Sequence, residues 1–275
     1  MPRTAAASSW ISVLARVARL SFAAAIVSMP AAPRLAAQPL PVDGAFDVNQ
    51  FTTSFQRRPG VRMADSGAAV FVWDSDGQDG SGEGVVARKM ASNGSFFNEF
   101  VVNQTTAGDQ DFPNLAMNAS GDFAVTWRDG PNTGRAVALR STLSNGSSLG
   151  SETQASTTAG DMLHSALCRF DDDTTVVVWQ NPFLVFRRFA ANGTALTPEV
   201  PFAGISDPDD LSVACLSSQR FVAVWKDSDS DGQGIFAVLV NGQDSQVGAP
   251  FEVPEDPAGD QYQPSVASDG AGRFV

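Results

Sequence analysis

A repeating unit of about fifty residues is the feature that most constrains how this 275-residue chain can fold. Four apolar runs (VFVW, FAVTW, TVVVW and FVAVW) each end in tryptophan, and they place Trp73, Trp127, Trp179 and Trp225 at intervals of 54, 52 and 46 residues. Self-similarity at such a period is typical of repeat architectures, in which neighbouring units bury one continuous core. The chain is therefore predicted to be built from copies of one small module.

Two further markers keep the same period. Asn-Gly occurs at 93–94, 145–146, 192–193 and 241–242, and a segment such as TTAGDQDFPNLAM precedes each tryptophan run. Each unit divides into four short strands: a first strand such as PNLAM, the run to Trp, a third strand, and a fourth. The third strands are predicted at 85–90, 136–141, 184–189 and 235–240, and the fourth at 99–103, 45–49, 198–202 and 251–255.

The hairpin between the third and fourth strands is predicted from the Asn-Gly pairs. Asn-Gly favours the positive φ angles of a type I′ turn, whose twist matches antiparallel strands. No sustained apolar spacing of three and four residues occurs after the N-terminal segment, so we expect essentially no helix.

The second strand is apolar at successive positions, as in Val176, Val177, Val178 and Trp179. Successive side chains of a strand point to opposite faces, so both faces of each sheet must be covered. A β-sandwich would show alternation, and a β-solenoid would need a shorter period. The pattern favours an all-β propeller of four-stranded antiparallel blades, each covered by its neighbours.

The order of these segments carries a resemblance. Each unit follows the order P-x-V-A, V-V-W, an acidic Gly-rich loop, I-x-A-R, N-G and E-F-x-V-N. This order resembles the repeats of secreted bacterial β-propeller proteins. These are similar in pattern to sialidase-type (Asp-box) and integrin-like FG-GAP propellers. The resemblance implies the fold and carries little about function, because no intact Asp-box is present and QVGAP (246–250) echoes only part of FG-GAP.

The first 37 residues differ from the rest. They hold four arginines and no acid, and the apolar run LSFAAAIVSM (20–29) is followed by small residues. This pattern predicts a secretory signal peptide cleaved after Ala37, with a retained membrane anchor as the alternative. No second run is long enough to span a bilayer, so the mature chain is expected to be secreted: extracellular, at the cell surface or periplasmic.

Residues 38–275 amount to about 4.7 units at this period. Near the start of this range, residues 45–49 are predicted to form a fourth strand that has no first three strands before it. At the end, residues 264–275 supply a first strand and the start of a second. The sequence therefore predicts part of a longer propeller, whose ring is incomplete within these residues.

The formal net charge of −12 argues against a nucleic-acid partner, because binding to phosphates depends on Lys and Arg. The carboxylates are expected to collect on one rim, where loops between strands two and three meet loops between blades. Asp227, Asp229 and Asp231, followed by Gly232, form the pattern D-x-D-x-D-G with which several calcium-binding loops begin. Asp and Gly are also ordinary turn residues, and the acidic position that would complete either an EF-hand or an integrin-like loop is apolar here. The three aspartates are a candidate metal site, with calcium as the candidate cofactor.

Few other residues suggest chemistry. His164, the only histidine, is expected to be packed or to line the channel rather than to act as a general base. Tyr262 lies at a loop end, and no arginine trio repeats the sialidase arrangement. Cys168 and Cys215 occupy equivalent first-strand positions, and we expect two buried thiols more readily than a disulfide, because side chains on adjacent blades need not converge.

Together these features predict a secreted propeller that acts as a non-catalytic binding scaffold for an unknown protein or glycan. No catalytic residue is assigned. The alternative is an exported hydrolase that acts on polysaccharide, with its site on the acidic rim; two carboxylates suffice for glycoside hydrolysis, although nothing in the sequence selects a pair.

Overall fold

The computed structural model of the protein describes residues 45–131, 134–142, 150–157, 160, 164–181, 183–205, 207–256 and 258–275. The predicted signal peptide and the Asn145-Gly146 turn lie outside these residues. Within them the chain forms sixteen strands and no helix, and accordingly no helix there is long and apolar enough to cross a membrane.

The strands form four antiparallel sheets of four strands each, here called blades one to four. Blade one contains β1 (Gln56–Met63), β2 (Ala69–Asp76), β3 (Glu83–Met90) and β4 (Phe100–Val101). Blade two contains β5 (Asp109–Met117), β6 (Phe123–Gly130), β7 (Ala136–Thr142) and β8 (Thr153–Gln154). Blade three contains β9 (Ser165–Arg169), β10 (Thr175–Asn181), β11 (Phe183–Phe189) and β12 (Val200–Pro201). Blade four contains β13 (Asp209–Cys215), β14 (Phe221–Ser228), β15 (Gln233–Val240) and β16 (Phe251–Glu252).

The first strands of the blades lie innermost. β1 contacts β5, β5 contacts β9, and β9 contacts β13, so the four blades surround a shared axis. A cavity of about 1070 Å³ lies at the ends of these strands, between the first turns of all four blades and residues 265–271. After blade four, Ala267 and Val275 exchange two backbone hydrogen bonds and begin a further hairpin. The propeller predicted from the repeats is confirmed.

The second strands are sealed on both faces, as their continuous apolar sequence requires. In β10, Val176 and Val178 pack toward blade four, in a cluster with Phe221. Val177 and Trp179 point the other way, into a cluster with residues of blade two. All four β10 residues are fully buried, so each blade shields its neighbour from water.

The hairpins between third and fourth strands differ from the predicted type I′ turn. In blade one, Gly94 N–H bonds Ala91 C=O and Ala91 N–H bonds Ser95 C=O, and only Gly94 has a positive φ, of 84°. This is a type I turn closed by one left-handed residue, a common hairpin connection. In blade four Asp244, with φ 62°, takes that position, so the Asn-Gly at 241–242 is out of step with the others.

The fourth strands are shorter than predicted, two residues each, because a side chain replaces the next ladder bond. Asn103 Oδ1 accepts a hydrogen bond from Val85 N–H at 2.8 Å and ends β4. The predicted strand at 45–49 is wrong in the structure, since no third strand lies beside it among the described residues. This segment nevertheless ends in the same turn that follows β4. Asn49 Nδ2 donates a hydrogen bond to Phe51 C=O, as Asn103 Nδ2 does to Thr105 C=O.

Cys168 and Cys215 form a disulfide, which corrects the expectation of two thiols. The two residues lie on β9 and β13, the innermost strands of adjacent blades, and their Cα atoms are 5.4 Å apart. Equivalent positions diverge toward the rim of a propeller but converge at its axis, where these cysteines lie.

Candidate functional site

The loops between blades and the loops between strands two and three lie on one face, as predicted. Asp109, in the loop that enters blade two, accepts a hydrogen bond from Glu83 N–H of blade one at 3.2 Å. Asp260 accepts one from Gln233 N–H in the same way, at 3.0 Å. A Cβ at Gly232 would lie 2.2 Å from the Asp260 carboxylate, so this contact requires glycine there. Asp161, at the corresponding place in blade three, lies outside the described residues.

First strands begin with a bulge at this face. The pairing register shifts between Arg57 and Gly60, between Asp111 and Asn114, and between Asp209 and Ser212. Inside each bulge one residue has a positive φ: Arg58 (51°), Phe112 (53°) and Asp210 (49°). A bulge re-aims side chains where a strand meets a site. We call this end of the axis the axial mouth and define it by Arg58, Phe112, His164, Asp209 and Tyr262.

Cross-strand charge pairs surround the axial mouth. The residue after each tryptophan of the repeat is polar, and in three blades it faces an opposite charge in the first strand. The pairs in register are Arg57 with Asp74, Asp111 with Arg128, and Asp209 with Lys226.

Phe112 lies at the centre of the cluster between blades one and two. The guanidinium carbons of Arg58 and Arg128 each lie 3.7 Å from its ring centroid, and the His164 ring meets its edge at 5.9 Å. Its backbone N–H donates to Asp74. Cation–π contacts of this kind hold a guanidinium plane in one orientation.

The carboxylates beneath these arginines are buried. Asp111 binds Arg128 through both oxygens, at 2.9 and 2.8 Å, and also accepts from Arg135. Asp74 bonds Arg58 and has its pKa raised by burial, which outweighs the hydrogen bond and charge of that arginine. Burial, and then the charge of Asp74, also raise the pKa of Glu83, whose side chain is 16% exposed.

The opposite side of the mouth carries a more exposed carboxylate. Asp209 is 36% exposed and accepts a hydrogen bond from Lys226 at 3.0 Å, while His164 Nδ1 lies 3.1 Å from its other oxygen. Burial, the largest single influence, would raise the pKa of Asp209, but the hydrogen bond and charge of Lys226 together with a backbone hydrogen bond outweigh it, and the pKa lies below its usual value. Tyr262 is largely exposed, with its ring 5.7 Å from the Lys226 ammonium.

Each of the three aspartates of the candidate calcium loop accepts backbone hydrogen bonds, while Asp229 Oδ2 is buried without a partner among the described residues. Asp227 accepts from Asp207 and Ser228, Asp229 from Asp231 and Gly232, and Asp231 from Gly259. No group of three or more acidic, histidine or cysteine side chains suited to a metal occurs in the part of the chain that the structure describes. Calcium binding at Asp227, Asp229 and Asp231 stays a prediction.

Several residues of the axial mouth were missed by sequence reasoning. Arg58 and Phe112, which help to define the mouth, and Glu83, which bonds Arg58, were not singled out. The available signal was the polar residue after each repeat tryptophan, and the segments RRPG, DFPN and DDLS aligned at the start of each first strand.

Comparison with known proteins finds similar structures but no similar sequences. No family model matches the chain, and no curated protein matches it in sequence. Among solved structures, an alpha-L-arabinanase from Penicillium chrysogenum complexed with arabinobiose is similar, at 12% identity and a TM-score of 0.54, over 80% of this chain and 74% of that one. A mutant of the alpha-L-arabinofuranosidase Arb93A from Fusarium graminearum, in complex with an iminosugar inhibitor, has 12% identity and a TM-score of 0.51, over 72% of this chain and 66% of that one.

The comparison corrects the expected function. The chain was predicted to be a non-catalytic binding scaffold, whereas the similar structures are named as enzymes, an alpha-L-arabinofuranosidase and an alpha-L-arabinanase. This finding favours the alternative, a glycan-acting hydrolase, over the scaffold. The chain spans just under two thirds of the arabinofuranosidase's length. At this identity the likeness establishes one property of the chain, which is that it is a β-propeller.

Proposed function

We propose that this protein hydrolyses a glycosidic bond of a glycan bound at the axial mouth. The observation that carries the proposal is the placement of two partly exposed carboxylates around Phe112: Glu83 bonds Arg58, which stacks on the ring, and Asp209 contacts His164, which meets its edge. Their pKa values are shifted in opposite directions. The similarity in fold to glycan hydrolases supports it.

The chemistry requires one carboxyl group that is protonated and one that is ionised. Glycosidases use a carboxylic acid to protonate the leaving oxygen and a carboxylate as base or nucleophile. Environments that move two pKa values apart assign these roles. Glu83, with its raised pKa, would be the acid, and Asp209, with its lowered pKa, would be the base or nucleophile.

Export is part of the proposal. The basic and apolar residues 1–37 would direct secretion and be removed after Ala37. The Cys168–Cys215 disulfide supports an oxidising compartment, since such bonds are rare in the cytosol. We also propose that the chain is related to secreted bacterial repeat proteins with sialidase-type or FG-GAP patterns. The order of its repeat motifs supports this finer assignment.

The experiment is release of reducing sugar from arabinan, arabinoxylan, xylan and pectic glycans. Glu83→Gln and Asp209→Asn should each lower kcat by about 10²-fold or more, as loss of an acid or base does. Asp47→Asn is the matched control, because Asp47 is exposed and lies outside the axial mouth. Hydrolysis that survives in both variants, or that is absent from every glycan tried, would overturn the proposal.

A further inference from the structure

Basic side chains from three blades meet at Phe112. Arg58 comes from blade one, Arg128 from blade two and His164 from the entry to blade three, and all three contact the same ring. The chain as a whole has a formal net charge of −12. Three basic side chains around one ring, on the acidic face of such a protein, are not what its composition predicts.

The carboxylates that balance these guanidinium groups lie deeper than the guanidinium groups do. The side chains of Asp74 and Asp111 are 1% and 5% exposed, whereas those of Arg58 and Arg128 are 30% and 14% exposed. A molecule that enters the mouth therefore meets N–H donors first. The formal charges of the cluster cancel, but its more exposed side consists of N–H donors.

Arg58 keeps donors available for a ligand. Its Nη1 bonds Asp74 and Glu83, and among the described residues its Nε and Nη2 have no acceptor. These two nitrogens form the guanidinium edge that binds a carboxylate through two parallel hydrogen bonds. Because the guanidinium plane is held against Phe112, this edge is already oriented before a ligand arrives.

We propose that Arg58, held against the Phe112 ring, binds the carboxylate of a uronic acid residue, so that the substrate class is acidic rather than neutral glycans. This inference rests on the proposed glycan-acting function. The hydroxyl oxygens of a neutral sugar can accept only uncharged hydrogen bonds from the Arg58 edge, whereas a carboxylate supplies two charged oxygens at the spacing of the fork. The bound sugar would then lie next to Asp209, which contacts His164.

The test compares methyl glucuronide with methyl glucoside, two probes that differ only at the carboxylate. Binding is measured by calorimetry in the Asp209→Asn background, in which turnover is expected to be at least about 10²-fold slower. We expect the glucuronide to bind about 10-fold or more tightly, and the preference to weaken as salt is raised. Equal affinity for both probes, or inorganic sulfate bound as tightly as the glucuronide, would overturn the uronic acid assignment.

Arg58→Lys is the diagnostic variant, because lysine keeps a positive charge beside buried Asp74 and loses the two-donor edge. It should reduce the preference for the glucuronide about 10-fold, while Arg62→Lys, on the same strand but at the far end of the axis, should retain it. A preference retained in Arg58→Lys would refute the role of Arg58. Hydrolysis of neutral glycans without any acid preference would sink only this inference, and acid preference without hydrolysis of any glycan would sink only the proposed function.

Discussion

The disulfide between Cys168 and Cys215 should contribute much of the stability of the propeller. The bond closes a loop with a sequence separation of 47 residues. The chain-entropy relation gives about 4 kcal/mol at 25 °C for a loop of that size, because the cross-link removes conformations from the unfolded chain. Replacing both cysteines with alanine should therefore lower the free energy of unfolding by about 4 kcal/mol.

The measurement is urea unfolding followed by tryptophan fluorescence, with melting temperature as a second readout. For a chain of this size, ~4 kcal/mol corresponds to a fall of roughly 8–16 °C in Tm. The wild type in dithiothreitol should lose a similar amount, since reduction and substitution remove the same cross-link. The double alanine variant serves as its own control, because reductant should leave its transition unchanged.

Two outcomes would refute this reasoning. One is the release of two free thiols from the denatured, non-reduced wild type, which would show that the bond does not form. The other is a shift of less than about 1 kcal/mol in the double variant, which would show that the inner strands of blades three and four hold together without it.

Three further predictions concern single contacts. Asp244→Ala should destabilise the fold by about 1–2 kcal/mol, because Asp244 pairs with Arg188 of the neighbouring blade and has a left-handed backbone; a change within error in chemical denaturation would contradict this. Asp209 has a lowered pKa, so its stabilisation is present above the unfolded value of about 3.9 and is lost as the pH falls through the folded value. Asp209→Asn should therefore be less stable than the wild type at pH 7 and equal to it at about pH 2, and a gap that persists in acid would exclude the pair with Lys226 as the cause. If Asp227, Asp229 and Asp231 bind calcium, millimolar calcium should raise the melting temperature by several degrees, with Asp229 Oδ2, which is buried without a hydrogen-bond partner in the described part of the chain, as one ligand; an unchanged melting temperature would reject the calcium interpretation.

The blades could be predicted because their determinants are local and repeated. Strand two is apolar at every position, as in 176–179, and only a sheet covered on both faces satisfies that sequence. The placement of the two sets of loops on one face could also be predicted, because connections in a four-stranded blade alternate between its two ends. The type of hairpin turn did not, because Asn-Gly can serve a type I turn with a left-handed Gly94 as readily as a type I′ turn.

The axial mouth could not be predicted to the same extent, because it depends on register and on contacts between blades. A two-residue periodicity says nothing of a bulge that turns Arg58 or Phe112 toward the axis. The pairing of Asp111 with Arg128 becomes visible only when the strands are aligned. The prediction that Cys168 and Cys215 are free thiols was wrong for a related reason. Their sequence spacing matches the repeat, but the distance between their Cα atoms depends on how closely the inner strands approach each other.

The carboxylate of Asp109 on the Glu83 amide, repeated by Asp260 on Gln233, has an evolutionary consequence. At these two junctions one module offers an acceptor backward to its predecessor, which offers an amide donor forward. A copied module of this kind would therefore arrive with both halves of the junction, and would fit beside another of the same kind without new side chains. Gain or loss of a fraction of a module would leave one amide without its acid, so lineages of such chains should change length in steps of a whole repeat.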